Sequence, residues 1–369
     1  MALSVPSITG SAWSTTLFLL LTNLSTALND VVIDARVVEM SRLDPENGAN
    51  NLQTVSWSMM ALGGVIGSLL AGLATDHLGA RSVFLFASIG PIIVIGLSMV
   101  MRESRVNTNT SDSSAAAQCF ARSRKQSKAL LRAIRLPVVW KSALWIFLSG
   151  AISPGYGSIS FYYATDVLKF TPEFLGFVSA FGYIFLMVGT VVYNTFWKRY
   201  KFRRIFFMAQ VALAVVSFLD ILLVTRANLT LGIPDKVFVL GDEVISDVVG
   251  RMKTMPMLVL SAKICPEGVE GTLFALLMSI SNFSYSVSSY WETVVCNLIG
   301  IRREHYVHLW LAIVIRSVLK LVPICFWFLL PDSDQQDTIS LGAKVVEEEP
   351  RSDDEEGITD SDTAQLLYP

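Results

Sequence analysis

Apolar residues recur along this chain in runs of about 20, the length that carries a helix across a bilayer, and short polar breaks separate the runs. Nine runs stand out: Ala12–Ile33, Leu52–Thr75, Val83–Met101, Val138–Tyr163, Phe174–Trp197, Ile205–Thr225, Val237–Ala262, Gly271–Val294 and His308–Leu330. The pattern predicts an all-α, polytopic membrane protein of about nine transmembrane helices. The first run is too long and too polar at its end for a signal peptide, and neither a small-residue cleavage site nor an Arg-rich transit segment accompanies it, so it counts as a span.

The polar breaks set the organisation. Lys and Arg concentrate in two of them, Arg102 to Lys141 and the turn Lys198–Arg204, which lie two crossings apart and are both expected on the cytoplasmic side. The basic segment divides the runs three and six, and its Ser/Thr/Asn-rich part at 107–114 reads as a flexible linker. The expected units are therefore residues 1–101, a partial N-terminal bundle of three helices, and 138–330, a six-helix bundle, joined by a basic linker at 102–137. Residues 331–369 are acidic, with Glu347–Glu349 and Asp353–Glu356, and are expected to form a disordered cytoplasmic tail. Its end, Asp362 to Leu367, has the form of an acidic dileucine sorting signal and equally the form of a chance match.

Charges inside the apolar runs are where chemistry is sought, because an ionised side chain facing hydrocarbon costs roughly 3 kcal/mol or more near the bilayer centre. Asp30 and Asp34 stand one helical turn apart at the end of the first run. Facing a cavity they would bind protons or N–H donors of a substrate; at the membrane border they would meet water, as Arg36 and Glu39 do. The seventh run carries Asp242, Glu243, Asp247, Arg251 and Lys253, too many charges for a lipid-facing helix, with Pro256 expected to kink it. Asp247 and Arg251 are also spaced for a simple helix ion pair. Gly63, Gly64, Gly67 and Gly72 are expected to admit close helix packing, and Asp76 to Arg81 to form a Gly-assisted turn.

Composition narrows the classes. Hydrophobic residues make up 52% of the chain and charged ones 16%. That is the balance of a membrane protein rather than a soluble one. A net charge of -2, with both signs confined to loops and tail, gives no nucleic-acid footprint. Cys119, Cys265, Cys296 and Cys325 lie far apart, and His77, His305 and His308 are too few for a di-iron membrane enzyme, so no metal or other cofactor is expected. No Gly-Lys-Ser/Thr phosphate loop is present, and the chain is not expected to be an enzyme. Of the sequons at Asn23, Asn228 and Asn282, only Asn228 falls in a plausible outer loop.

Two blocks carry a family resemblance. Asn29-Asp30 through Asp34-Ala35 to Glu39, followed by Leu52-Gln53, Trp57 and Gly63-Gly64, resembles the fourth and fifth helices of folate–biopterin transporters, a branch of the major facilitator superfamily. Gly241-Asp242, Met255-Pro256, Cys265-Pro266, Gly271 to Met278 and Asn282 are similar to that family's pattern from its tenth helix onward. The resemblance spans roughly residues 12–331 and implies major-facilitator-type bundles that transport folates or pterins by alternating access, often with a proton. It makes Asp30, Asp34 and Asp242 candidates for gripping a pterin edge or binding the proton, and Arg251, Lys253 and Lys263 candidate counter-charges for folate carboxylates. The family's first three helices are expected to lack a counterpart here: either the chain is a fragment or an alternative gene product, or an oligomer or a full-length partner completes the bundle. The alternatives are a carrier of another small organic solute, or a non-transporting partner or regulator. The lipid bilayer is the expected setting: plastid envelope, endomembrane or plasma membrane.

Overall fold

The computed structural model describes residues 10–41, 48–100, 124, 127–265, 269–302 and 305–332. Within them the helices follow in order: α1 (Ala12–Ser41), α2 (Gly48–Leu78), α3 (Ala80–Ala87), α4 (Ile89–Val100), α5 (Pro137–Ala151), α6 (Gly157–Tyr162), α7 (Pro172–Phe196), α8 (Phe202–Val224), α9 (Ala227–Thr230), α10 (Asp235–Lys263), α11 (Glu270–Ile299) and α12 (Leu309–Leu319). A π-helical turn, Tyr163–Val167, extends α6, and a 3-10 segment, Val322–Leu329, extends α12. Among the described residues the only β feature is an isolated bridge between Arg302 and His305.

Local sequence explains the boundaries. Pro137 opens α5. At α7, Thr171 caps the helix by accepting from the Phe174 amide, with Pro172 in the first turn and Glu173 at the positive end of the dipole. Gly79 makes the corner between α2 and α3 that the sequence places there, in a left-handed backbone conformation open to glycine.

Helices cover all nine expected crossings, and six segments are long and apolar enough to cross a membrane: Ala12–Val38, Asn50–Leu78, Ser82–Val100, Pro172–Arg199, Phe202–Val224 and Leu309–Leu329. The other three expected crossings differ for physical reasons. The run Val138–Tyr163 is broken at Ser153-Pro154-Gly155, α10 is laden with charge, and α11 with serines. Part of the polar load of these three segments faces the protein interior: Ser149 on α5, Lys263 on α10, and Ser281, Ser284 and Ser288 on α11 are buried. The chain is an integral, multi-pass, all-α membrane protein.

Packing follows two small-residue seams, the usual means of close approach in lipid. Along α2–α7, Gly72 lies against the backbone of Pro172 and Gly176, and Gly64 lies under the ring of Tyr183. Gly63 and Gly67 face open space, so only half of the expected glycine stripe is used. Along α5–α11, Gly150 lies against Ser284, and the break in α5 is sewn to α11: the Gly155 amide donates to Ser288 O at 3.1 Å and Ser288 Oγ donates to Ser153 O at 2.6 Å. Around α10 stand α2, α7 and α8, with α12 behind α8.

Two apolar cores close the two ends. The larger gathers Val38, Trp145, Tyr193, Phe202, Met255 and Phe274 at the end marked by the basic turn. Residues 127–135, expected to belong to the linker, are helical and supply Ala133 to this core, with Ala129, Leu130 and Ile134 packed beside it. Their apolar side chains recur at helical spacing between the Lys and Arg residues, which accounts for the difference. The smaller core joins Tyr156, Tyr163, Cys296, Tyr306 and Leu309 at the opposite end. The Ser/Thr/Asn-rich stretch at 107–114, Cys119, Pro266 and the acidic tail with its Asp362–Leu367 segment lie outside the described residues.

Candidate functional site

Between the two cores lies a cavity of about 290 Å³. The broken end of α5 forms one wall through Ser149, Ser153 and Gly155; α8 contributes Gln210, α10 Lys253 and Thr254, α11 Tyr285 and Ser288, and the end of α12 Arg316 and Lys320. Three cationic side chains thus converge on one polar space, and among the described residues no carboxylate is part of its lining. That composition suits an anion.

Each cation is held by a specific partner. Lys253 Nζ donates to Ser149 O at 2.8 Å, a carbonyl beside the break in α5. Lys320 Nζ donates to Ser217 Oγ, and Gln210 Nε2 donates to Lys320 O, while Gln210 Oε1 is buried and has no hydrogen-bond partner among the described residues. Arg316 Nη1 lies 3.5 Å from Asp220 Oδ2, and its guanidinium stands 5.9 Å from the ring centre of Tyr156. Glu292 accepts the Ile159 amide at 2.9 Å and so anchors the chain beyond the break.

The residues singled out from the sequence divide into three groups. Lys253 lines the cavity, and Asp242 stands on the same helix about three turns before it. Asp242 and Lys253, eleven residues apart, lie on one face of α10. Arg251 belongs to a different face: its guanidinium stacks on Trp57 of α2 at 4.7 Å and its stem packs against Gly189 of α7. Among the described residues its Nε and Nη1 have no hydrogen-bond partner. Glu243 and Asp247 share that face and press on Gly182 of α7, so the charges of α10 form one row toward the cavity and one toward the α2–α7 seam. The helix continues through Pro256, whose missing N–H leaves one carbonyl of the preceding turn without its intrahelical donor.

Lys263 is buried in the last turn of α10, nearly three helical turns beyond Lys253 and away from the cavity. Asp30 and Asp34 stand on α1, Asp30 exposed and Asp34 half-buried. Among the described residues no hydrogen bond or ion pair joins either of them to Asp242. The side chain of Glu39 lies outside the described residues.

Sequence reasoning passes over Asp220, Arg316, Lys320, Gln210 and Glu292. The signal is present: Asp220 is a single carboxylate in the apolar run Ile205–Thr225, and Arg316 and Lys320 stand one turn apart inside the ninth run. Asn228, the expected outer-loop sequon, is 0% exposed; its Nδ2 donates to Ile233 O at 3.1 Å and to Asp235 Oδ1 at 2.8 Å, while Arg226 pairs with Asp235 at 2.7 Å. It locks a turn instead of offering an acceptor to solvent.

Comparison with known proteins agrees with this architecture. The sequence profile of the BT1 family matches residues 2–349. The chain is 32% identical over 367 residues to a protein of Arabidopsis thaliana named probable folate-biopterin transporter 4, covering 85% of this chain and 75% of the relative. It is 31% identical over 347 residues to probable folate-biopterin transporter 2 of the same plant, covering 93% and 68%. With the folate-biopterin transporter of Synechocystis sp. the identity is 33% over 320 residues, covering 87% and 63%. The chain thus spans about two thirds of the length of such relatives, between the 62% and 75% covered in two of the plant proteins. A match that runs through every helix described above, charged α10 and broken α5 included, makes this chain a member of the BT1 family.

Proposed function

We propose that the protein carries folates or pterins across a membrane, by alternating access and with a proton as the coupling ion. The observation that carries this reading is the convergence of Lys253, Arg316 and Lys320 on one cavity in the middle of the helical packing, with Asp220 beside Arg316 at its edge. Folate brings carboxylates that suit the three cations and a flat ring system that suits Tyr285. The names of the relatives point to the same cargo. In this reading the two end cores are the closures that open in turn, the helices of residues 1–101 and 138–330 are the units that rock, and Asp30 and Asp34 belong to the wall facing the six-helix unit. Arg251 on Trp57 joins the two units, and Lys263 acts at the basic end. A second copy of the chain or a full-length relative is the proposed partner.

Uptake of labelled folate and labelled biopterin into proteoliposomes, with and without an imposed proton gradient, tests this reading. Gradient-dependent folate uptake is expected, reduced at least tenfold by Lys253→Gln and lowered by Asp34→Asn. No uptake of either compound, with the protein folded and inserted, would overturn it; uptake of another organic anion in its place would favour a carrier of a different solute, which the three cations equally suit.

A further inference from the structure

The end of the fold closed by the larger core carries a basic face. The helix at 127–135 buries Ala133 and exposes Lys128, Arg132 and Arg135, and the turn between α7 and α8 exposes Arg199, Lys201 and Arg204. Their own stretches of chain hold nothing to neutralise them: no Asp or Glu stands between Asp112 and Asp166, nor between Glu173 and Asp220. Among the described residues none of these six cations pairs with a carboxylate. The start of α8 adds to the positive field, because its first turn contains no acidic residue and its amides receive no side-chain cap.

One carboxylate does reach this face, and it comes from the far end of the chain. Arg203 Nε donates to Leu330 O at 2.9 Å, and Asp332 Oδ2 lies 3.5 Å from Arg203 Nη1. Leu329 and Leu330 are buried in the same core as Phe202, so the chain beyond Asp332 sets out from the basic turn. Residues 333–369 hold eleven acidic residues against two basic ones. The run Glu347–Glu349 begins fifteen residues after Asp332, and a chain of that length reaches at most about 50 Å.

We infer that residues 333–369 dock on this face, with the acidic runs Glu347–Glu349 and Asp353–Glu356 set against the cations of the turn and of the helix at 127–135. An exposed ion pair is weak by itself. Here several act together, and attachment through Asp332 makes the binding intramolecular, at an effective concentration on the order of millimolar. Bound across both elements, the tail braces the helix at 127–135 against the α7–α8 turn. The contact is electrostatic and weakens as the Debye length shrinks from about 8 Å at 0.15 M salt to about 3 Å at 1 M.

Photocrosslinking supplies the test. Leu131, exposed among the cations of the helix, is replaced by p-benzoylphenylalanine in the full chain, which is then reconstituted in phosphatidylcholine vesicles and irradiated. Crosslinked peptides of the monomeric band are mapped by mass spectrometry. The expected partner is residues 333–369, with a yield that falls about fivefold or more at 1 M salt. Replacing the acidic residues of both runs by Gln and Asn should lower the yield as much and leave the melting temperature unchanged. Arg199→Gln, Lys201→Gln and Arg204→Gln together should lower it as well. No crosslink to the tail, or a yield indifferent to salt and to tail charge, would overturn the inference. So would loss of the tail crosslink in vesicles containing about one part in five of phosphatidylserine, which would assign the face to anionic headgroups.

Discussion

Replacing Gly176 with alanine tests the α2–α7 seam directly. A Cβ built there would stand 2.8 Å from Ser68 O and 3.0 Å from Gly72 Cα, whereas ordinary contact begins at 3.4 Å. Both approaches are too close, and both obstacles are backbone atoms that cannot rotate aside. The helices must separate or shift along a seam that also includes Gly64 under Tyr183. Overpacking of this kind costs about 1–3 kcal/mol, against the roughly 0.5–1 kcal/mol gained by replacing glycine with alanine in a helix. A larger residue removes the ambiguity: Gly176→Val should lower the melting temperature in detergent by several degrees, at about 2–4 °C per kcal/mol for a chain of this order of size. Gly67→Ala is the matched control, since nothing lies within 4 Å of its Cβ, and it should leave the melting temperature unchanged or slightly raised. Tryptophan-fluorescence melting of the two variants beside the natural chain gives the comparison. If Gly176→Val melts with the control, the two helices are not as closely apposed as described.

Two further outcomes follow from single contacts. Trp57→Leu removes the ring under Arg251. A partly desolvated stack of this kind contributes about 1–2 kcal/mol, so the leucine variant should melt earlier, whereas Trp57→Phe keeps most of the stabilisation; equal melting of the two would refute the stacking role. Asn228→Ala breaks the hydrogen bonds to Ile233 O and Asp235. Leaving their partners unsatisfied costs about 1–3 kcal/mol, and the electrophoretic mobility of protein from a glycosylating host should not change, because the buried natural side chain is not an acceptor.

Helices are legible in the sequence because burial in lipid imposes length and apolarity locally, residue by residue. Every expected crossing contains a helix, from the uninterrupted α8 to the charged α10. The break at Ser153-Pro154-Gly155 is not, because Ser153 and Gly155 are individually ordinary in an apolar run and their meaning lies in Ser288 across the seam. The site is half legible for the same reason. Lys253 and Asp242 announce themselves as part of a dense cluster of charge. Asp220, Arg316 and Lys320 are scattered over two other runs, and only packing brings them to one place. Within α10 itself, the sequence shows that the charges need cover but not that they sort into two rows. The partners of each row, Gly182 and Gly189 on one side and the cavity on the other, are set by helices far away in the chain.

The order in which α10 and its partners leave the ribosome has a consequence for how the chain enters a bilayer. Each ionised group on α10 would cost roughly 3 kcal/mol as a lone passenger at the membrane centre, so this helix is a poor candidate for insertion by itself. Trp57 and Gly182 have already been synthesised when it emerges, and they offer the surface against which Arg251 and Glu243 can be sheltered. Arg316 comes later, on α12, so Asp220 is without its guanidinium until that helix is in place. The charge on Asp220 and Arg316 is thus neutralised between helices made at different times, and α12 brings electrostatics as well as packing.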